Sequence, residues 1–205
     1  MLHVAVDGRL LAYVSGGISQ YTRQLVSQIV PMLGPSERMT LIRSARRRQP
    51  DLGIRDLECA AVLTPPHNRL EQMTLPVELL RIRPSVVHSP DFIPPMRGPW
   101  RRVITIHDLA FLLYPDTVTG ASAEYYGQID RAARVADAII AVSQHTANDV
   151  ARLLNVDPGR IRVIPNGVDP ELGPVTDPEL LEEWCTRHGI DRPYLLFAGT
   201  FEPRK

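Results

Sequence analysis

The sequence predicts an α/β fold, a parallel sheet covered by helices, and three observations carry that prediction. Short apolar runs alternate with longer stretches whose apolar residues recur at helical spacing. The short runs are apolar on both faces, as strands buried between two helical layers are. The residues able to do chemistry gather where those runs end, and ligands of open α/β sheets bind outside the carboxyl ends of the strands.

Taken in order, Leu2 to Val6 (L-H-V-A-V) reads as the first strand, followed by a loop that closes on Ser15-Gly16-Gly17. From there Ile18, Tyr21, Leu25, Ile29 and Met32 share one helical face, and Gly34-Pro35 stops the helix. Met39 to Ile42 and Cys59 to Leu63 are two further strands, separated by an arginine-rich loop. Leu70 to Ile82 is helical, with a break expected near Pro76, whose ring and missing N–H disturb a helix interior. Val86 to His88 is a short buried strand ending in Ser89-Pro90. After a Pro/Gly-rich loop, Arg102 to Ile106 forms another strand and ends in His107-Asp108. Ala121 to Ala136 is helical, Ala138 to Val142 is strand, and a helix runs from Ser143 to about Leu154. Arg160 to Ile164 is the seventh strand, closed by Pro165-Asn166-Gly167. These elements make residues 1–170 a Rossmann-like parallel sheet with helices on both faces. The pattern then restarts. Pro178 to His188 is helix-like and Tyr194 to Ala198 strand-like, so residues 171–205 read as the start of a second domain.

Composition agrees with one domain plus a fragment, since the 205 residues exceed the usual domain size of ~100–150. The 44% hydrophobic and 22% charged fractions suit a globular protein with a proper core. Basic and acidic residues balance at 23 each, so no global field marks a nucleic-acid binder. The one basic run, Arg43 with Arg46, Arg47 and Arg48, reads as a solvated loop or as a contact with anionic lipid or substrate. Cys59 and Cys185 are too few and too distant for a disulfide framework or a metal site, and Cys59 reads as a small core residue of its strand. No stretch approaches the ~20 apolar residues of a membrane span, and Asp7 and Arg9 interrupt the only early apolar run. A cytoplasmic setting without a signal peptide is the expectation.

Several residues at the strand ends can do chemistry. Gly16 and Gly17 open a helix, where free N–H groups and the helix dipole favour an anion; a tight connection explains the pair equally well. No third glycine completes a dinucleotide fingerprint. His88 and His107 both fall at strand ends, and His107 is followed at once by Asp108. Either imidazole can hydrogen-bond a sugar hydroxyl or charge developing in a transition state, and the two are not spaced as metal ligands. Ser143 is a helix cap, a role compatible with sugar binding by the same helix start. At the end of the sequence, Gly199 to Lys205 is a glycine turn followed by two cations, either solvated or clamping a diphosphate through Arg204 and Lys205. No Walker loop and no G-x-S-x-G elbow appears.

Together these segments resemble glycosyltransferase family 4, the retaining, two-domain transferases of the GT-B type. The matching stretches are Val6-Asp7-Gly8-Arg9 with Gly17-Ile18-Ser19-Gln20-Tyr21-Thr22, Val87-His88-Ser89-Pro90 and Ile106-His107-Asp108-Leu109. They continue with Ile140-Ala141-Val142-Ser143, Ile164-Pro165-Asn166-Gly167-Val168-Asp169, and Ala198 to Lys205, whose G-T-F-E-P-R-K is like that of a mannosyltransferase-like branch. The resemblance implies that residues 1–170 are an acceptor-binding N-terminal domain, with Gly16 and Gly17 near the donor phosphates and His107, the expected catalytic residue, near the donor sugar. It implies that Arg204 and Lys205 touch the donor diphosphate, and leaves His88, Asp108 and Ser143 as acceptor or sugar contacts. The implied substrates are a nucleotide-sugar, such as a mannosyl donor, and a glycan or lipid-linked acceptor, as in polysaccharide biosynthesis; no cofactor and no metal is expected. Ser19 and Gln20 stand where close relatives often have Gly and Arg, and the family's paired glutamates would lie beyond Lys205. The chain alone is therefore expected to be inactive, with a C-terminal donor-binding domain missing. The alternative is a non-catalytic sugar- or partner-binding α/β domain.

Overall fold

The structure, a computed structural model, describes residues 1–49, 51–115, 125–169, 172–191 and 193–199. Among them seven strands, all parallel, form one sheet: β1 Leu2–Asp7, β2 Glu37–Ser44, β3 Glu58–Val62, β4 Val86–Ser89, β5 Arg101–Ile106, β6 Ala138–Ala141 and β7 Ile161–Val163. Their spatial order is β3-β2-β1-β4-β5-β6-β7, so the chain winds outward in one direction from β1 to β3 and in the other from β4 to β7. The register aligns Val4 with Met39 on one side of β1 and with Val86 on the other. An α/β Rossmann-like sheet, as the patterning predicts, is the architecture.

Neighbouring residues of a strand point to opposite faces, and both faces here are apolar. Val6, Met39 and Leu41 pack with Val26 of α1 (Gly17–Ile29) on one face. Ala5, Ile42, Val62 and Val87 pack with Leu75 and Leu79 of α2 (Glu71–Ile82) on the other. Burying a leucine such as Leu79 stabilises the fold by about 1.5–3 kcal/mol. The larger core joins Ile104, Ile106, Ile139 and Ala141 to the small alanines of α4 (Ile129–Val135) and to Val150 of α5 (Gln144–Leu153). A short α3 (Ala110–Leu113) follows β5. Residues Met1–Pro165 form one compact unit and Asn166–Lys205 a second, in which α6 (Pro178–Arg187) is capped by Asp177 accepting from the N–H groups of Glu179 and Leu180.

Four expectations need correction. Cys59 is exposed rather than core, because β3 is the edge strand and only part of it is covered. No break occurs at Pro76: α2 runs through it, since Leu75 and Leu79 dock the helix on either side of the turn that loses a hydrogen bond. The expected long helix over 121–136 contains a turn at Gly127-Gln128, where glycine's low helix propensity separates α4 from the turn before it; residues 121–124 lie outside the described residues. Tyr194 to Ala198 is not a strand, for an extended segment needs a neighbour to pair with and none is present among the described residues.

The arginine-rich loop is also less free than a solvated loop. Arg43 donates to the side chain and carbonyl of Gln49, Arg46 donates to the Leu63 carbonyl, and Arg47 lies over the Tyr13 ring. Among the described residues no helix is long and apolar enough to cross a membrane.

Candidate functional site

Because every strand is parallel, all carboxyl ends lie along one edge of the sheet. Winding reverses between β1 and β4, and such a switch point leaves a crevice that neither flanking crossover fills. Asp7 ends β1, Ser89 ends β4, and His107 follows β5. At the switch point a small crevice of about 20 Å³, room for about one water molecule, is lined by Asp7, Arg9, His67, Glu71, Ser89, Asp91 and Tyr125 with prolines and aliphatic side chains.

One side of this crevice is an ion-pair network. Gly8 lets the chain turn against β2: a Cβ there would meet Leu41 Cδ1 at 2.4 Å, so a larger residue requires the buried Leu41 side chain to shift. The turn sends Arg9 back beneath Asp7, where it is 2% exposed. Its Nε donates to Asp7 Oδ1 at 2.9 Å, one NH2 group donates to Asp7 Oδ2 at 2.6 Å and to Glu71, and the other donates to the Thr64 carbonyl at 3.1 Å. Burial pushes the Asp7 carboxyl up, but the charge and hydrogen bonds of Arg9 outweigh it and hold the pKa below the usual range. Glu71 goes the other way: burial and the Asp7 charge raise it against the opposing pull of Arg9. One cation between two carboxyls cannot fully satisfy both.

The other side is built on Asp91. Its Oδ2 accepts from the Tyr125 phenol at 2.9 Å and pairs with His67 Nε2 at 3.0 Å, and its Oδ1 accepts from the Phe92 N–H. Burial, with the Asp91 charge, raises the Tyr125 phenol well above its ordinary value, so it stays a donor. His67 packs on the Tyr125 ring with centroids 3.9 Å apart, at a φ of 57° that a non-glycine residue adopts only at a cost. Between the two sides sits Ser89, 2% exposed, whose Oγ has no hydrogen-bond partner among the described residues.

Next to the crevice lie the two histidines. Buried His88 pairs its Nε2 with Thr105 Oγ1 at 2.9 Å, and Thr105 Oγ1 lies 3.3 Å from the Tyr21 hydroxyl of α1. Burial, helped by the nearby His107, lowers the His88 pKa to about 4, so the ring is uncharged near neutrality. His107 donates from Nε2 to the Pro90 carbonyl at 3.0 Å. The Tyr21 ring meets His107 edge-on at 5.0 Å, so α1 and His107 share one rim. Ser143 Oγ accepts from the Thr146 N–H at 3.0 Å as the cap of α5, and Thr146 Oγ1 donates to the His107 carbonyl. Asp108 accepts from the Ala110 N–H at the start of α3. Gly16 is the extended N-cap of α1 and Gly17 its first residue; a Cβ on Gly17 would meet nothing within 4 Å. The chain itself therefore does not crowd this helix start.

The sheet edge thus brings together His88, His107, Ser143 and α1, which begins at Gly17. Arg204 and Lys205 lie outside the described residues. Sequence reasoning did not single out Arg9, Glu71, Ser89, Asp91, His67 or Tyr125 as site residues. The signal available for the first was the charged D-x-R step closing an apolar strand; its partner Glu71 is 62 positions away, and no local pattern connects them. Among the described residues no three metal-ligating side chains converge.

Solved structures with this fold include a glycosyltransferase from Rickettsia africae ESF-5, at 17% identity and a TM-score of 0.55, covering 93% of this chain and 50% of that one. WaaG, a glycosyltransferase involved in lipopolysaccharide biosynthesis, matches at 14% identity and 0.61, covering 92% and 52%. The lipopolysaccharide outer core galactosyltransferase WaaB matches at 14% and 0.53, covering 82% and 46%. The chain spans about half the length of these relatives. No curated protein matches. The family model for Glycosyltransferase Family 4 matches residues 15–172, from the start of α1 to beyond β7, and on that match the chain belongs to glycosyltransferase family 4.

Proposed function

We propose that this chain is the N-terminal, acceptor-side part of a retaining GT-B glycosyltransferase. The reaction moves a hexose, with mannose the first candidate, from a nucleoside-diphosphate sugar to a glycan or lipid-linked acceptor. The observation that carries the reading is the uncrowded start of α1 beside His107. A diphosphate at Gly16 and Gly17 gains the helix dipole and free N–H groups, and the Tyr21 contact keeps His107 within the same rim.

In this scheme His107 presents its imidazole to the donor sugar, oriented by its hydrogen bond to Pro90. His88 acts behind it through Thr105 and Tyr21, while Asp108 and Ser143 stand on the sugar side of the same edge. The protein's work is to position the reactants and stabilise the departing diphosphate, with no metal. Arg204 and Lys205 are the diphosphate contacts that the family resemblance implies, and a donor-binding domain supplies the rest of the nucleotide site.

A cytoplasmic position at the inner face of a membrane fits one surface. Leu70, Met73, Val77 and Leu80 form an exposed apolar stripe on α2, with Arg81 and Arg83 exposed at its end, and such a face binds anionic lipid. Flotation with anionic vesicles tests that position.

The activity test uses a chain extended to the length of the matched glycosyltransferases and a panel of nucleotide-sugars, GDP-mannose first. Release of nucleoside diphosphate by the long form is expected to fall at least a hundredfold in His107→Ala, the scale of losing one transition-state hydrogen bond. A folded long form that neither binds nor turns over any nucleotide-sugar would leave a non-catalytic sugar-binding domain as the better account.

A further inference from the structure

Tyr21 belongs to the helix that opens at Gly17, yet its side chain ends on the strand that leads to His107. We propose that Tyr21 is a positioning residue, which holds the His107 imidazole at a fixed offset from the N–H groups that open α1. The proposal rests on the transferase reading of that rim.

Three observations converge. First, the helix transmits position. Tyr21 stands four residues after Gly17, and a turn of α-helix is a stiff spacer of ~5–6 Å. Fixing Tyr21 against the sheet therefore fixes the first-turn N–H groups with it. Ser19 Oγ donates to the Val14 carbonyl at 2.7 Å and ties the preceding loop to the same turn. Second, the tyrosine spans two places at the end of β5. Thr105 and His107 are two positions apart, the spacing at which side chains leave an extended chain on the same side. The Tyr21 hydroxyl lies 3.3 Å from Thr105 Oγ1, and its ring meets the His107 ring at 85° with centroids 5.0 Å apart. Third, the hydrogen bond from His107 Nε2 to the Pro90 carbonyl fixes that atom but not the tilt of the ring about it. The Tyr21 ring blocks that tilt from the side of α1.

The two contacts of Tyr21 are unequal. An O···O distance of 3.3 Å is long for a hydroxyl hydrogen bond, whose usual range is ~2.5–3.0 Å. A centroid separation of 5.0 Å falls well inside the ~4.5–7 Å of edge-to-face ring pairs. Thr105 is fully buried and keeps its shorter bond, 2.9 Å, to His88 when the tyrosine hydroxyl is removed. The ring carries the positioning and the hydroxyl adds little. Losing the ring misplaces His107 relative to the diphosphate while the diphosphate contacts themselves survive, so the cost falls on turnover and not on donor binding.

The test compares Tyr21→Phe, which keeps the ring, with Tyr21→Leu, which removes it. The longer chain is assayed with GDP-mannose or whichever nucleotide-sugar of the panel is turned over. There Tyr21→Leu is expected to lower kcat on the order of ten- to a hundredfold with KM for the donor within about twofold, and Tyr21→Phe to stay within about threefold in both. In the 205-residue chain, Tyr21→Leu is expected to move the NMR resonances of the His107 ring, which the Tyr21 ring current displaces, and Tyr21→Phe to leave them in place. Should Tyr21→Leu not fold, Tyr21→Met fills the same space without a ring and carries the same expectations. Equal loss of kcat in the Phe and Leu variants, a loss confined to KM, or unmoved His107 resonances in Tyr21→Leu overturns the proposal. A longer chain inactive with every nucleotide-sugar sinks the transferase reading instead, and the His107 resonances still decide whether Tyr21 holds the ring.

Discussion

At the switch point charge is buried and locked; along the neighbouring rim a buried, uncharged His88 is hydrogen-bonded to Thr105 and the space is open. Arg9, Asp7 and Glu71 lie almost wholly out of solvent and bind one another. Uncharged His88, Thr105 and Tyr21 form a hydrogen-bonded chain that ends against the His107 ring, beside the uncrowded start of α1. The difference separates two tasks. Buried ion pairs are geometrically demanding and gain little net stability, but removing one member leaves a charge with nowhere to go, so they hold a loop in one position. A neutral chain costs little to bury and leaves the field near the helix start free for an incoming anion.

Breaking the locked side gives the largest effect. Arg9→Met is expected to lower stability by about 3–5 kcal/mol in urea unfolding, because Asp7 and Glu71 then remain buried without a cation. Adding Asp7→Asn and Glu71→Gln to the same chain is expected to recover much of the loss. If the triple variant is no more stable than Arg9→Met, the cost lies in packing and not in the orphaned charges.

The neutral side is tested by pH. His88 has a folded pKa of about 4 against an ordinary 6.5, so between those values the unfolded chain binds the extra proton. Stability contributed by the neutral ring is therefore complete above pH 6.5 and lost as pH falls toward 4, by up to about 3 kcal/mol. His88→Gln, able to keep a bond to Thr105, is expected to flatten that part of the profile, and the difference between the two chains isolates His88 from the carboxylates. Parallel profiles would mean that His88 is hydrated and titrates normally.

How far these regions were legible in the sequence follows the same divide. Strands such as Val86–Ser89 and Ala138–Ala141 are readable because burial on both faces leaves a continuous apolar run. His107 and Ser143 are readable because they stand immediately after such runs. Cys59 misled because an edge strand has the same composition as a central one, and Pro76 because packing by Leu75 and Leu79 overrides a local propensity. The crevice was not legible: Arg9 meets Glu71, and Asp91 meets His67 and Tyr125, only after the crossovers bring distant segments together. An unpartnered hydroxyl such as Ser89 has no sequence signature at all, since every serine looks alike until its neighbours are known.

The smallest effect on stability is the sharpest on the rim. Gly17→Ala meets no atom within 4 Å and removes a flexible residue from the first turn of α1, so stability should hold or rise by about 0.4–1 kcal/mol. Donor binding by the longer chain should nevertheless fall, because the methyl group occupies the space left before the helix start. Unchanged donor affinity in that variant would move the diphosphate elsewhere.

The strand order also sets a timetable for synthesis. β1 is made well before its second neighbour, β4, which is aligned with it from Val86, about eighty residues later. At ~5–20 residues per second, one edge of β1 waits on the order of 4–16 s on the ribosome before its partner exists. During that interval an apolar strand with free N–H and carbonyl groups is open to any other nascent chain, and chains arrested before Val86 are the ones expected to aggregate.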